Sequence, residues 1–319
     1  MATTTTVDAA RKALGPVGVS LPVSFTSTPS VDLQREAVGR LERAGHRAVW
    51  TNEVIGKNAL VQLAVLLAAT ERMVFGTGIA NIWAREPQMA HSAAALLAQA
   101  YPGRFVLGLG VGYPQQAAGA GREFGSPLST MRDYVDRMGG ETWPPAPDVA
   151  YPKIIAANGP KMLALAGEIA DGALPAMLPP EYTAQARRAL GPDKLLVVGL
   201  SVVVDTDHDR ARATARDTVS NALGQKSYAA RMAGLGYSAQ EIADVDDRLV
   251  DAIVGHGDPA AIAAKVQEHL TAGADHVTLL LPIGGDFSVG IDQLEQLAPV
   301  SSAYGSGYSA RMSPPNSLQ

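Results

Sequence analysis

The chain has 319 residues, a hydrophobic fraction of 47%, a formal net charge of −5 and a pI near 5.7. That is apolar material for a large core, without the concentrated positive face that nucleic acid requires. Cysteine is absent, which excludes disulfides, thiolate catalysis and cysteine-ligated metals.

No apolar run reaches membrane-spanning length, and the first 15 residues lack the apolar core of a signal peptide, so a cytoplasmic protein with no membrane partner is expected. Residues 1–14 read as a polar lead-in. Residues 17–21 (VGVSL) make a first short strand. Ser30 is placed as the N-cap of a helix that sets Val31, Ala37, Val38 and Leu41 near one face and stops at Gly45. A second strand over 47–51 (RAVWT) ends in Asn52-Glu53, and residues 60–70 read as a buried helix.

The most informative stretch is 73–115. Two apolar runs, MVFGTGIA and RFVLGLGVG, flank an Ala- and Leu-rich helix that Pro87 opens and Pro102-Gly103 closes. This is a strand–helix–strand unit of a parallel sheet, and both strands end in glycines, where a flat ligand or its phosphate can approach the backbone. Residues 113–127 read as a mobile loop, 128–138 as an amphipathic helix and 139–151 as a linker within the fold. A fifth strand over 153–157 turns at Asn158-Gly159-Pro160 into a helix. Further strands are expected over 173–177, 195–204 and 276–281, with helices over 180–190, 205–223 and, after the N-cap Asp258, 259–271. Residues 224–258 read as an irregular region of short helices, 289–297 as a last helix, and 301–319 as a disordered tail. Eight buried strands alternating with helices predict a TIM-type (β/α)8 barrel over residues 15–300. Insertion loops lie at the C-terminal face of the strands, where the site belongs.

Four motifs, GTGIANIWAREP, PGRFVLGLGVG, AANGPKMLALAGEIADG and GDPAAIAAKVQEHLTAGADHV, come in that order. Through them the chain resembles the bacterial luciferase-like superfamily over residues 17–281, and within it the oxidoreductases that use the deazaflavin coenzyme F420. The resemblance implies a bulge with a non-prolyl cis peptide at Gly78-Ile79, next to Ala80, backing the cofactor ring. It also implies cofactor contacts from Asn52, Gly110, Gly112 and Gln115. The phosphate falls to the loop Ala156, Ala157, Asn158, Gly159, Pro160 and Lys161, and a glycine turn opening a helix suits an anion on physical grounds alone. Lys57, Arg85 and Lys161 are candidates for a basic rim facing the coenzyme's oligoglutamate tail.

The departures from the family pattern matter. The family's sugar-phosphate dehydrogenase ends its second strand in an Asp-His pair, where this chain has Asn52-Glu53. That enzyme also has an acid after strand four, and Gly112-Tyr113-Pro114-Gln115 has none. Glu53 is then the carboxylate placed to act as catalytic acid or base, with Tyr113 as a phenol donor. The competing reading has Glu53 capping a helix or pairing with an Arg or Lys. Gly76 and Gly78 then only mark a bulge, Gly108, Gly110 and Gly112 only serve packing, and Trp83 and Arg85 stand either on the surface or at the substrate mouth. His91 falls in a core helix and His276 starts a strand; no histidine pair has metal-ligand spacing, so no metal is expected. The expected activity is hydride transfer between coenzyme F420 and a small organic substrate, in a homodimer. The alternatives are a reduced-FMN monooxygenase fed by a separate reductase and a non-catalytic flavin-binding barrel.

Overall fold

The computed structural model describes residues 5–304, apart from residues 25 and 55. Its strands are β1 (Val17–Ser20), β2 (Ala48–Thr51), β3 (Val74–Thr77), β4 (Ala80–Asn81), β5 (Phe105–Gly110), β6 (Lys153–Ala156), β7 (Gly172–Leu174), β8 (Leu195–Val204), β9 (Val254–Gly257) and β10 (His276–Leu280). Eight of them close a parallel barrel in the order β1-β2-β3-β5-β6-β7-β8-β10, with β10 pairing back onto β1. The expected (β/α)8 architecture is the observed one. Helices begin and end where local chemistry sets them. Ser30 accepts a bond from the Leu33 N–H and Gly45 ends that helix in the left-handed region, while Asp258 accepts from the Ala261 N–H at the start of Pro259–Thr271.

The structure differs from the sequence reading in five places. The polar lead-in is a helix, Thr6–Leu14, whose Val7, Ala10 and Leu14 are buried against Ala48, Val74, Val106, Ile154 and Leu195 near the starts of their strands. It plugs the N-terminal end of the barrel. Arg11 anchors it through an ion pair to Asp275 at 3.1 Å, and Asp275 also binds Arg187 at 2.6 Å. The region 224–258 holds three short helices as expected, and also β9, which extends the sheet along Ser201–Val204 of β8. The loop 113–127 contains a short helix, Pro114–Gly119. The sixth strand is shorter than expected, because Pro175 offers no N–H and Met177 has φ +55°, leaving only an Ala176–Gly199 bridge beyond Leu174. A helix runs over Ala298–Ala303 into the expected tail, and residues 305–319 of that tail lie outside the described residues.

An aromatic pair sits in the lower barrel beside the aliphatic side chains packed against the helix Thr6–Leu14. Trp50 Nε1 donates to His276 Nε2 at 3.0 Å, and the other ring nitrogen of His276 donates to the Gly15 carbonyl at 2.6 Å. Both side chains are fully buried. A Cβ on Gly76 would sit 2.4 Å from the Trp50 ring, and one on Gly18 would sit 2.7 Å from the His276 ring. These two glycines are the space the pair occupies.

Burial holds His276 neutral, with its pKa pushed down to about 4, and pushes that of His269 down to about 3. In the unfolded chain both take a proton near pH 6.5, so below that pH the unfolded state binds more protons than the folded one. Unfolding free energy measured by urea titration is therefore expected to fall steadily as pH drops from about 6.5 to about 4. Trp50→Ala is expected to cost about 3–5 kcal/mol in the same assay at pH 7.

Candidate functional site

The site grows from a register slip. Phe75 and Gly76 pair with Phe105 and Val106, but Ala80 and Asn81 pair with Leu109 and Gly110. Three residues, Thr77 to Ile79, therefore face two, Leu107 and Gly108. The extra residue makes a bulge that bends the chain across the barrel mouth. Thr77 replaces the lost ladder: its Oγ1 donates to the Gly108 carbonyl at 2.7 Å and accepts from the Gly108 N–H at 2.8 Å. Gly108 has no Cβ because the Thr77 carbonyl occupies that space. The peptide Gly78-Ile79 is cis, as the resemblance implied.

Glu53 clamps this bulge. Its N–H donates to the Ile79 carbonyl at 3.0 Å, and its Oε2 accepts from the Asn81 N–H at 2.8 Å. Oε1 accepts from the Ala59 N–H at 2.9 Å, at the start of the helix Ala59–Ala68. Arg85 grips both oxygens as a two-pronged ion pair, one prong at 2.9 Å. Each carboxylate oxygen thus has two donors, and the side chain is buried. The acid or base role expected of Glu53 gives way to the capping and pairing role. Arg85, spent on this pair and only 12% exposed, is not a free cation of the rim. Trp83 is buried, with its ring N–H donating to the Val111 carbonyl at 2.7 Å.

A cleft of about 990 Å³ opens above the bulge. Gly78 and Ile79 line it, with Leu21 and Pro22 after β1, Asn52 and Lys57 after β2, Gly112, Tyr113 and Gln115 after β5, and Ile283 and Phe287 after β10. Of the expected ring contacts, Asn52, Gly78, Ile79, Gly112 and Gln115 come together here. Ala80 and Gly110 do not: both are buried in the wall, and a Cβ on Gly110 would sit 2.7 Å from the Ile79 side chain. Gly110 is there to seat Ile79. Tyr113 stands 56% exposed at the cleft edge. Lys57 is half-buried and donates to Asn52 Oδ1 at 2.9 Å; burial pushes its pKa down to about 8, against the opposing pull of Glu53.

The segment Ala156 to Lys161 begins at the last residue of β6 and does not line this cleft. Ala157 is buried, and Asn158 Oδ1 accepts from the Ala176 N–H at 2.9 Å. Gly159 is the N-cap of the helix Pro160–Ile169 and gives its first turn no side-chain acceptor. Arg231, from the helix Lys226–Gly234, brings a guanidinium nitrogen within 3.4 Å of where a Gly159 Cβ would stand. It has no carboxylate partner among the described residues. Arg231 escaped the sequence reading because it lies in the irregular region, where nothing in the local pattern marks it. Among the described residues no group of acidic or histidine side chains could hold a metal ion, and no helix is long and apolar enough to cross a membrane.

Residues 16–276 match the family model described as luciferase-like monooxygenase. A candidate coenzyme F420-dependent oxidoreductase of Mycobacterium tuberculosis is 33% identical over 179 residues, covering 46% of this chain and about half (51%) of that protein. The 5,10-methylenetetrahydromethanopterin reductase of Methanolobus tindarius is 25% identical over 76% of this chain and 88% of its own length. An F420-dependent secondary alcohol dehydrogenase solved with an F420–acetone adduct shares the fold, with a TM-score of 0.69 and 18% identity over 90% of this chain and 98% of that one. The oxygenating component of 3,6-diketocamphane monooxygenase from Pseudomonas putida, solved with FMN, gives a TM-score of 0.63 and 16% identity over 90% of this chain and 98% of that one.

Removing one partner of a buried ion pair strands the other charge. Glu53→Gln is therefore expected to lower unfolding free energy by about 3 kcal/mol. In a double-mutant cycle, Glu53→Gln with Arg85→Met is expected to cost clearly less than the two single losses added together. Additive losses would show that the pair does not couple.

Proposed function

We infer the activity from one premise: the chain belongs to the luciferase-like monooxygenase family. Its relatives by name are F420-dependent oxidoreductases and flavin-dependent monooxygenases. The reading best supported for this chain is hydride transfer between coenzyme F420 and a small organic substrate. The observation that carries it is the cleft floored by the Gly78-Ile79 bulge, at the strand ends where a barrel of this type does its chemistry.

The residues fit such a coenzyme. The cleft has the volume of a cofactor-sized site and a largely apolar wall. The uncapped N-terminus of Pro160–Ile169, with Gly159, Lys161 and Arg231 beside it, suits a phosphate. When bound, the deazaflavin supplies the hydride chemistry, and the protein supplies position and electrostatics. Glu53 and Arg85 hold the bulge rigid as the ring's support. Asn52 and Gln115 offer polar contacts, and Tyr113 stands at the edge. The segment after β5 lines the cleft through Gly112, Tyr113, Gln115 and Gln116, where it can close over a bound ring and exclude water.

An FMN-dependent monooxygenase is the second reading, favoured by the FMN-bound neighbour of the same fold. Fluorescence titrations with oxidised F420 and with FMN separate the two. F420 is expected to bind the more tightly, and Arg231→Ala is expected to weaken it about tenfold, the worth of one charge-assisted hydrogen bond. Tight FMN binding with no F420 binding overturns the reading.

A further inference from the structure

The cleft wall is apolar around one available cation. Leu21, Val54, Val65, Ile79, Ile283 and Phe287 are part of its lining, and its titratable lining residues are Glu53, Lys57 and Tyr113. Glu53 is committed to Arg85 and to two backbone N–H groups. The loop after β1 faces the cleft with Ser24, Thr26, Ser27 and Thr28, and the helix Val31–Ala44 faces it with Val31 and Gln34, so neither adds a charge. Gln34 and Gln62 bond each other at 2.6 Å, and Gln62 takes up the Thr51 hydroxyl at 2.8 Å.

Lys57 differs from all of these. It sits at the end of a tight turn in which its N–H donates to the Val54 carbonyl at 2.9 Å and Gly56 has φ +91°. The turn aims the ammonium at the cleft. Among the described residues its only side-chain partner is Asn52 Oδ1, so two of its three N–H donors are free for a ligand.

We propose that Lys57 is the proton donor of this cleft and that the substrate is an apolar carbonyl compound whose oxygen Lys57 holds. The proposal rests on the hydride-transfer reading. In carbonyl reduction the carbon receives a hydride, the π pair moves onto oxygen, and the oxygen takes a proton. Reduced F420, when bound, would supply the hydride, and Lys57 Nζ gives the proton, is left as a neutral amine and is reprotonated from solvent at the open mouth. A lysine whose pKa burial pushes down to about 8 gives up its proton near neutral pH far more readily than an ordinary one. Lys57 thereby fills the gap left where Asn52-Glu53 replaces an Asp-His pair and where no acid follows β5.

The test uses the full chain and two probes. Oxidised F420 is titrated by fluorescence against wild type and Lys57→Met. Cyclohexanecarboxylate, a charged mimic of an apolar carbonyl compound, is titrated by calorimetry from pH 6.5 to 9.5 against wild type, Lys57→Met and Lys57→Arg. The ammonium is charged below about pH 8 and lost above it, so wild-type affinity for the carboxylate is expected to fall about tenfold across that range. Lys57→Arg, whose charge does not titrate there, is expected to give a flat profile, and Lys57→Met weak binding at every pH. F420 affinity is expected to stay within about twofold in Lys57→Met, which also shows that the variant folds. The proposal is overturned if Lys57→Met binds the carboxylate as wild type does, or if it loses F420 binding, which would make Lys57 a cofactor-holding group. Lys57-dependent carboxylate binding in a wild-type chain that binds no F420 overturns the cofactor reading alone and leaves Lys57 as the carbonyl-holding group.

Discussion

One extra residue in the third barrel strand determines the geometry of the active face. Between the pairs Gly76–Val106 and Ala80–Leu109 the chain must hide one more residue than its partner offers. That mismatch cannot be absorbed by the ladder, so side chains replace it. Thr77 bonds both polar groups of Gly108, and Glu53 bonds the Ile79 carbonyl through its N–H and the Asn81 N–H through its carboxylate. Arg85 then neutralises a carboxylate that would otherwise be buried alone. The floor of the cleft, the start of the next helix and the position of the Lys57 turn all depend on this set of bonds.

The barrel divides its work by height. Its lower end is a closed core in which the Trp50–His276 pair is accommodated by Gly18 and Gly76 and sealed by the helix Thr6–Leu14. Its upper end keeps backbone and a few polar groups facing an open cleft. Glycines serve both ends for different reasons. Gly76 makes room for a ring, Gly108 for a carbonyl and Gly110 for an isoleucine, and Gly78 lies on the cleft floor. A run such as GLGVG is therefore more a record of close packing than of ligand contact.

What the sequence conveyed followed from how local each signal was. Continuous apolar strands and caps such as Ser30, Gly45 and Asp258 depend on neighbours in the chain, and they predicted the barrel. The glycines Gly76 and Gly78 hinted at a bulge, but the cis peptide at Gly78-Ile79 was legible only through family resemblance. The role of Glu53 was legible only as one of two alternatives, capping and pairing against acid–base work, because its partner Arg85 lies 32 residues on and meets it only once the bulge has formed. Arg231 was hidden for the same reason, since it reaches Gly159 from another helix, and Lys57, read from sequence only as a rim cation, depends on burial for its character. The helix Thr6–Leu14 carried a readable pattern in Val7, Ala10 and Leu14, masked by the threonine run before it. β9, four residues with two glycines, carried none.

The central claim is that the mouth of this barrel is a seat for a tricyclic redox coenzyme, with the ring on the bulge and the phosphate at the helix start. A crystal structure of the chain soaked with oxidised F420 tests it most directly. The ring is expected against Gly78-Ile79, with the phosphate between the Gly159–Lys161 turn and Arg231. A ring bound away from the bulge, or a phosphate that leaves both the turn and Arg231 untouched, contradicts it.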